Sequence, residues 1–87
     1  MDNWEQRNRP FRLEKRFEFE TYELTRAFLD RLGRHSEAEN RFPDISFGKT
    51  YVNITIRPED EADSAELTEK DYQFAGEIDE ILEGQSP

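Results

Sequence analysis

Residues 37–59, EAENRFPDISFGKTYVNITIRPE, carry the reading that decides the fold. The opening residues are polar and finish a helix. Pro43 forces an exit, because its ring removes a backbone donor and disfavours helical geometry in the residue before it. Ile45 and Phe47 read as a short strand and Gly48-Lys49 as a tight turn. Tyr51–Ile56 then alternates without a fault. Val52, Ile54 and Ile56 share one face; Tyr51, Asn53 and Thr55 share the other. A period of two marks a strand buried on one side only.

Upstream, the period changes. Leu24, Ala27, Phe28, Arg31 and Leu32 recur at helical spacing, with Arg31 the one intruder on the apolar stripe, and Thr21 is placed to cap the helix. Gly33 costs about 1 kcal/mol relative to Ala and marks a weak point, after which Arg34–Asn40 extends the helix towards Pro43. Further back, Phe11 and Leu13 alternate with Arg12 and Glu14, and Phe17 and Phe19 alternate with Arg16, Glu18 and Glu20. These are two short strands or one long bent strand, with no turn dipeptide to mark a reversal near Glu14-Lys15. Trp4 caps the edge of the core from a polar segment that Pro10 closes. Downstream, Pro58 stops the sheet and residues 59–64 form an acidic loop. Thr68 and Asp71 then make a capping box, and Tyr72, Ala75, Ile78 and Leu82, widened by Phe74 and Ile81, line the final helix until Gly84. The order β-β-α-β-β-α predicts a single α+β domain over residues 1–87. It is a four-stranded antiparallel sheet with its helices on one face, and residues 1–10 and 84–87 are expected to be loosely ordered.

With 87 residues of which 33% are hydrophobic, the core is small, although seven Phe, three Tyr and one Trp fill it with bulk. Oligomerisation is the usual remedy. No cysteine is present, which removes disulfides, thiolate nucleophiles and cysteine metal sites together. No apolar run approaches a membrane span, and the N-terminus lacks the pattern of a signal peptide, so a soluble cytoplasmic protein is expected. Net charge is −9, unevenly spread: residues 1–50 carry ten acidic and ten basic side chains, residues 51–87 eleven acidic and two basic, Arg57 and Lys70. Nucleic-acid binding rests on cations, so the acidic half argues for a protein partner or simple solubility.

Taken singly, the chemistry-bearing residues are quiet. His35, the one histidine, sits in a polar helix end and reads as a solvated surface residue. Glu59, Asp60, Glu61 and Asp63 lack the glycine and the spacing of a calcium loop, so no metal is expected. There is no phosphate-binding glycine loop, and the adjacency of Ser36 and His35 makes no triad.

The order of elements nevertheless resembles the pterin-4a-carbinolamine dehydratases over nearly the full length. The resemblance is carried by Trp4, the Phe17/Phe19 strand, the helix with Ala27 and Phe28, Pro43, the strand Val52-Asn53-Ile54-Thr55-Ile56, and Leu67-Thr68-Glu69-Lys70-Asp71. The family motif has a glutamate, three residues, His-His-Pro, a strand ending in Thr-His, and Gly-Leu-Thr-x-x-Asp. Glu37, Pro43 and Asp71 match it. The paired histidines fall on Arg41 and Phe42, the third on Glu59, a frequent strand histidine on Asn53, and the glycine on Glu66. Dehydration of a carbinolamine needs groups that exchange a proton near neutrality. Arginine stays charged and phenylalanine has nothing to exchange.

The resemblance therefore implies a catalytically degenerate branch, similar to the pterin dehydratase-like RuBisCO assembly factors of α-carboxysomes. It implies an edge-strand homodimer with no cofactor, cytoplasmic or carboxysome-associated, that binds RuBisCO large subunits as a chaperone. Glu37, Arg41, Phe42, Pro43, Asn53, Glu59 and Asp71 would be a vestigial pocket. Arg41, Phe42, Tyr51, Asn53, Thr55, Arg57 and Glu59 are the candidate partner contacts. A dimerisation cofactor for another protein and a residual dehydratase are the alternatives.

Overall fold

A computed structural model of the chain describes residues 4–8, 11–58 and 66–84. The elements are β1 (Glu5–Asn8), β2 (Phe11–Glu18), α1 (Tyr22–Glu39), β3 (Asp44–Phe47), β4 (Tyr51–Ile56) and α2 (Glu69–Gly84). All strand pairings are antiparallel and the spatial order is β1-β2-β4-β3, so the pairing of β2 with β4 spans the helix between them. The expected architecture is present. Of the two readings left open from Phe11 onward it takes the single long strand, and a further strand precedes it.

Glu5–Asn8, within the stretch expected to be loosely ordered, forms β1, and Phe11–Glu18 runs as one strand with no break at Glu14-Lys15. The cause of the apparent break is Lys15. Register pairs Leu13 with Ile56, Lys15 with Ile54 and Phe17 with Val52, so Lys15 occupies an inward position between two apolar ones. Its ammonium reaches Asp79 of α2 at 2.6 Å and lies 4.7 Å from the centre of the Phe17 ring. Asp79 also accepts from the Trp4 indole N–H at 3.0 Å, and Trp4 meets Phe17 edge-on at 6.0 Å. Trp4 is thus part of the core and tied to α2.

Thr21 caps α1 as expected, its hydroxyl accepting from the Leu24 N–H. The helix passes through Gly33 to Glu39 and turns its Thr25, Phe28, Leu32 and Ser36 side inward. Leu24 and Ala27 flank this stripe and Arg31 points to solvent. Together with Leu13, Phe17, Val52, Ile54, Ile56, Phe74, Ala75 and Ile78, Phe28 and Leu32 form one core between the sheet and both helices. The opposite face of the sheet is open. There Arg12–Glu14 and Arg7–Glu14 make ion pairs at 2.6 and 3.3 Å. Gly48 closes the β3–β4 hairpin with its N–H on the Tyr51 carbonyl, and the Tyr51 ring occupies the space where a Cβ on Gly48 would sit.

Candidate functional site

Asn40 ends α1 in the left-handed region at φ 53°, a conformation asparagine tolerates, and Arg41 N–H returns to the Ser36 carbonyl at 3.0 Å. This reversal directs the Arg41 side chain under the N-terminus of α2. That terminus is built by the capping box: Asp71 Oδ2 accepts from the Thr68 N–H at 2.7 Å. The other oxygen of Asp71 pairs with Arg41 Nη2. Asp71 is fully buried, and the Arg41 side chain is only 14% exposed. Arg41 also donates to the carbonyls of Arg57 at 2.9 Å and Lys70 at 3.3 Å, and its guanidinium lies 5.1 Å from the Phe74 ring centre. One side chain thereby joins the end of α1, the end of β4 and the start of α2.

That geometry revises two expectations. Arg41 was expected among the partner contacts, but its donors are engaged inside the fold. His35 was expected in solvent, but its Nε2 stands 2.8 Å from Glu77 Oε1 and its ring stacks on Phe74 with centroids 5.5 Å apart. Both partners of His35 lie on α2, distant in sequence and invisible to a local reading.

The remaining site residues divide by location. A hollow of about 300 Å³ at the end of the sheet is lined by Asn40–Asp44 and Thr55–Pro58. It holds Arg41, Phe42, Pro43, Thr55 and Arg57, and among its described lining residues there is no histidine. Phe42 stands 68% exposed at its rim, and Arg57 makes a surface ion pair with Asp44 at 2.7 Å. Asn53 lies elsewhere, on the open face of the sheet, where a second hollow of about 360 Å³ is bounded by Glu5, Glu14, Lys15, Arg16, Asn53, Ile54 and Thr55. Tyr51 shares that face, with the Arg16 guanidinium 4.2 Å from its ring centre. Glu37 is exposed on α1 and joins neither hollow. Glu59 and the acidic loop after it lie outside the described residues.

On the open face, Arg12 beside Glu14 holds the Glu14 carboxyl below its ordinary value, with Arg7 adding to the effect against the opposing pull of partial burial. What the site offers is a rigid, ion-paired floor, an exposed aromatic rim and an open polar sheet surface.

Known proteins share this design. Among solved structures, a pterin dehydratase-like protein described as a RuBisCO assembly factor in the alpha-carboxysome superposes with a TM-score of 0.79 at 42% identity, over 92% of this chain and 89% of its own. The Brucella melitensis transcriptional coactivator/pterin dehydratase superposes at 0.81 with 18% identity, over 94% of this chain and 84% of its own, which shows the shared fold. Two proteins provisionally named pterin-4-alpha-carbinolamine dehydratases are similar in sequence. The one from Picosynechococcus sp. is 32% identical over 80% of this chain and 73% of its own length. The one from Rubrobacter xylanophilus is 33% identical over 79% of this chain and 62% of its own. Among the described residues, no helix is long and apolar enough to cross a membrane. Residues 1–81 match the family model of pterin 4 alpha carbinolamine dehydratase, and the chain belongs to that family.

Proposed function

We propose that this chain is a non-catalytic member of the family that assists RuBisCO assembly, holding large subunits through the Phe42 rim and the polar strand face. The observation that carries this reading is the 42% identity to a RuBisCO assembly factor across 92% of the chain. The lost enzyme chemistry is supported by Arg41. Where the dehydratases place a histidine, this chain has a permanently charged guanidinium held by Asp71 and two carbonyls. Phe42 beside it presents a ring to solvent and exchanges no proton.

The mechanism follows from size and symmetry. A dimer joined through sheet edges displays each patch twice, and two weak contacts on neighbouring large subunits reinforce each other by effective concentration, by roughly 10²–10⁴-fold. Completed assembly then covers the client surface and releases the factor. Exposed aromatic and arginine side chains are the usual anchors of such contacts. On this geometry Phe42 and Arg57 serve as anchors, while Arg41 holds the rim in place from beneath.

Co-expression with RuBisCO large and small subunits tests the reading. The holoenzyme yield rises with this chain and falls back with Phe42→Ala combined with Arg57→Ala, two exposed positions whose loss leaves the fold intact. An unchanged yield with and without the chain refutes it. The provisional names of the two curated relatives favour a second reading, a residual dehydratase. That reading requires the purified chain to dehydrate a pterin carbinolamine faster than buffer alone.

A further inference from the structure

We propose that His35, Glu39 and Glu77 form a binding site for a first-row divalent cation, zinc being the ion to test. His35 and Glu39 are one turn apart on α1 and so share a face, and Glu77 meets them from α2. One donor atom from each lies within 4.8 Å of the others. Zinc–ligand bonds of about 2.0–2.2 Å place tetrahedral donors roughly 3.5 Å apart. The exposed Glu39 carboxylate therefore has about 1 Å to travel, and His35 Nε2 and Glu77 Oε1, 2.8 Å apart, open by about 0.7 Å as the ion replaces the proton between them.

The other two donors are already oriented. The His35 ring is stacked on Phe74 at an interplanar angle of 16°, which aims Nε2 at Glu77. Glu77 has its second oxygen held by the Gln73 amide at 3.3 Å. Such outer contacts fix the ligands of metal sites. The donor set also discriminates: one imidazole with two carboxylates suits zinc and its neighbours in the first transition row, whereas magnesium and calcium prefer oxygen alone. Charge points the same way. The adjoining hollow of about 260 Å³ is shared by Glu39, Glu77, Lys70 and Arg41, and Arg41 is matched by Asp71. Two carboxylates then face one ammonium, and the hollow admits the waters that complete the coordination sphere. A bound ion would clip α1 to α2 independently of any client.

The chain has a single histidine, so its two imidazole nitrogens give one unambiguous pair of NMR signals. An untagged, ¹⁵N-labelled chain is titrated with zinc chloride while these signals are followed. The Nε2 resonance is expected to move and to saturate at one zinc per chain. Magnesium at the same concentration should leave it in place. Glu39→Gln and Glu77→Gln should each weaken binding on the order of 10–100-fold, the loss typical of a disturbed metal shell. Both variants keep hydrogen-bonding amides, and their amide spectra report whether the fold is retained. No movement of Nε2 at millimolar zinc overturns the proposal. So does a zinc response indifferent to both substitutions, which would be adventitious binding by the histidine alone.

Discussion

Arg41 joins three elements of the fold through one guanidinium. Truncating one member of a buried pair strands the other, which typically costs about 3–5 kcal/mol. Arg41→Ala leaves Asp71, fully buried in the parent chain, with the Thr68 groups as its remaining side-chain partners among the described residues. The expected loss lowers Tm by more than 10 °C, since about 1 kcal/mol moves a domain of this size by roughly 4–8 °C. Thermal melts monitored by circular dichroism check it, and a drop of only a degree or two would mean that the pair contributes little. Glu14 makes a different prediction. Its carboxyl is held below the ordinary value of 4.5 in the folded chain, first by its hydrogen bond from Arg12. A depressed native pKa contributes stability above the unfolded value, and that contribution fades as pH falls through the native one. Glu14→Gln should therefore melt below the parent chain at pH 7, with the gap closing at acid pH. Melts of both chains across that range decide it. Neither arrangement was fully legible in the sequence. The Thr68/Asp71 box was, because its partners are neighbours, but the Arg41–Asp71 pair joins residues 30 apart.

At the scale of elements, alternation revealed β4 in full because its two faces are chemically distinct. It failed at β2, where Lys15 sits inside, and at β1, where Glu5, Gln6, Arg7 and Asn8 have no apolar face at all. Gln6 instead accepts from the Tyr72 hydroxyl at 2.9 Å, a tertiary partner no window could find. Lys15 and Asp79 bind the sheet to α2, with side chains 12% and 26% exposed. Asp79→Ala removes an acceptor that Lys15 and Trp4 share and should cost about 1.5–3 kcal/mol, the range for charged hydrogen bonds. Lys15→Met keeps volume and removes the charge, so the double variant Lys15→Met/Asp79→Ala should recover part of that loss. Urea unfolding of the four chains measures the coupling. Additive losses would show that Lys15 and Asp79 do not act as a pair. The β3–β4 turn tests the same logic on a smaller scale. A Cβ at Gly48 would lie 2.2 Å from Tyr51 Cε2, so Gly48→Ala must expel the ring from its place beside Arg16. Giving up that contact and its packing should cost on the order of 1 kcal/mol, again read by urea unfolding.

The whole molecule presents two sheet edges of unlike character. The β1 edge is guarded by charge: Arg7 pairs with Glu5 at 2.6 Å and with Glu14 at 3.3 Å, the kind of decoration that discourages strand addition. The β3 edge has Ile45 at 40% exposure and Phe47 at 56%, with Phe42 close by in sequence and more exposed still. An exposed apolar edge on a chain with so small a core calls for a covering, and a second copy adding its own β3 across a two-fold axis supplies one by continuing the sheet. The prediction is a dimer at twice 10.4 kDa in size-exclusion chromatography with light scattering. Ile45→Lys combined with Phe47→Lys should convert it to monomer, because two ammonium groups per chain would face their counterparts across the seam. Arg7→Ala on the opposite edge should leave the dimer intact. A dimer that survives the lysines but dissociates on changing β1 would place the seam at the guarded edge. If the parent chain is monomeric at tens of micromolar, the doubled patch is lost, and client binding must then rest on a single contact far weaker than linkage would make it.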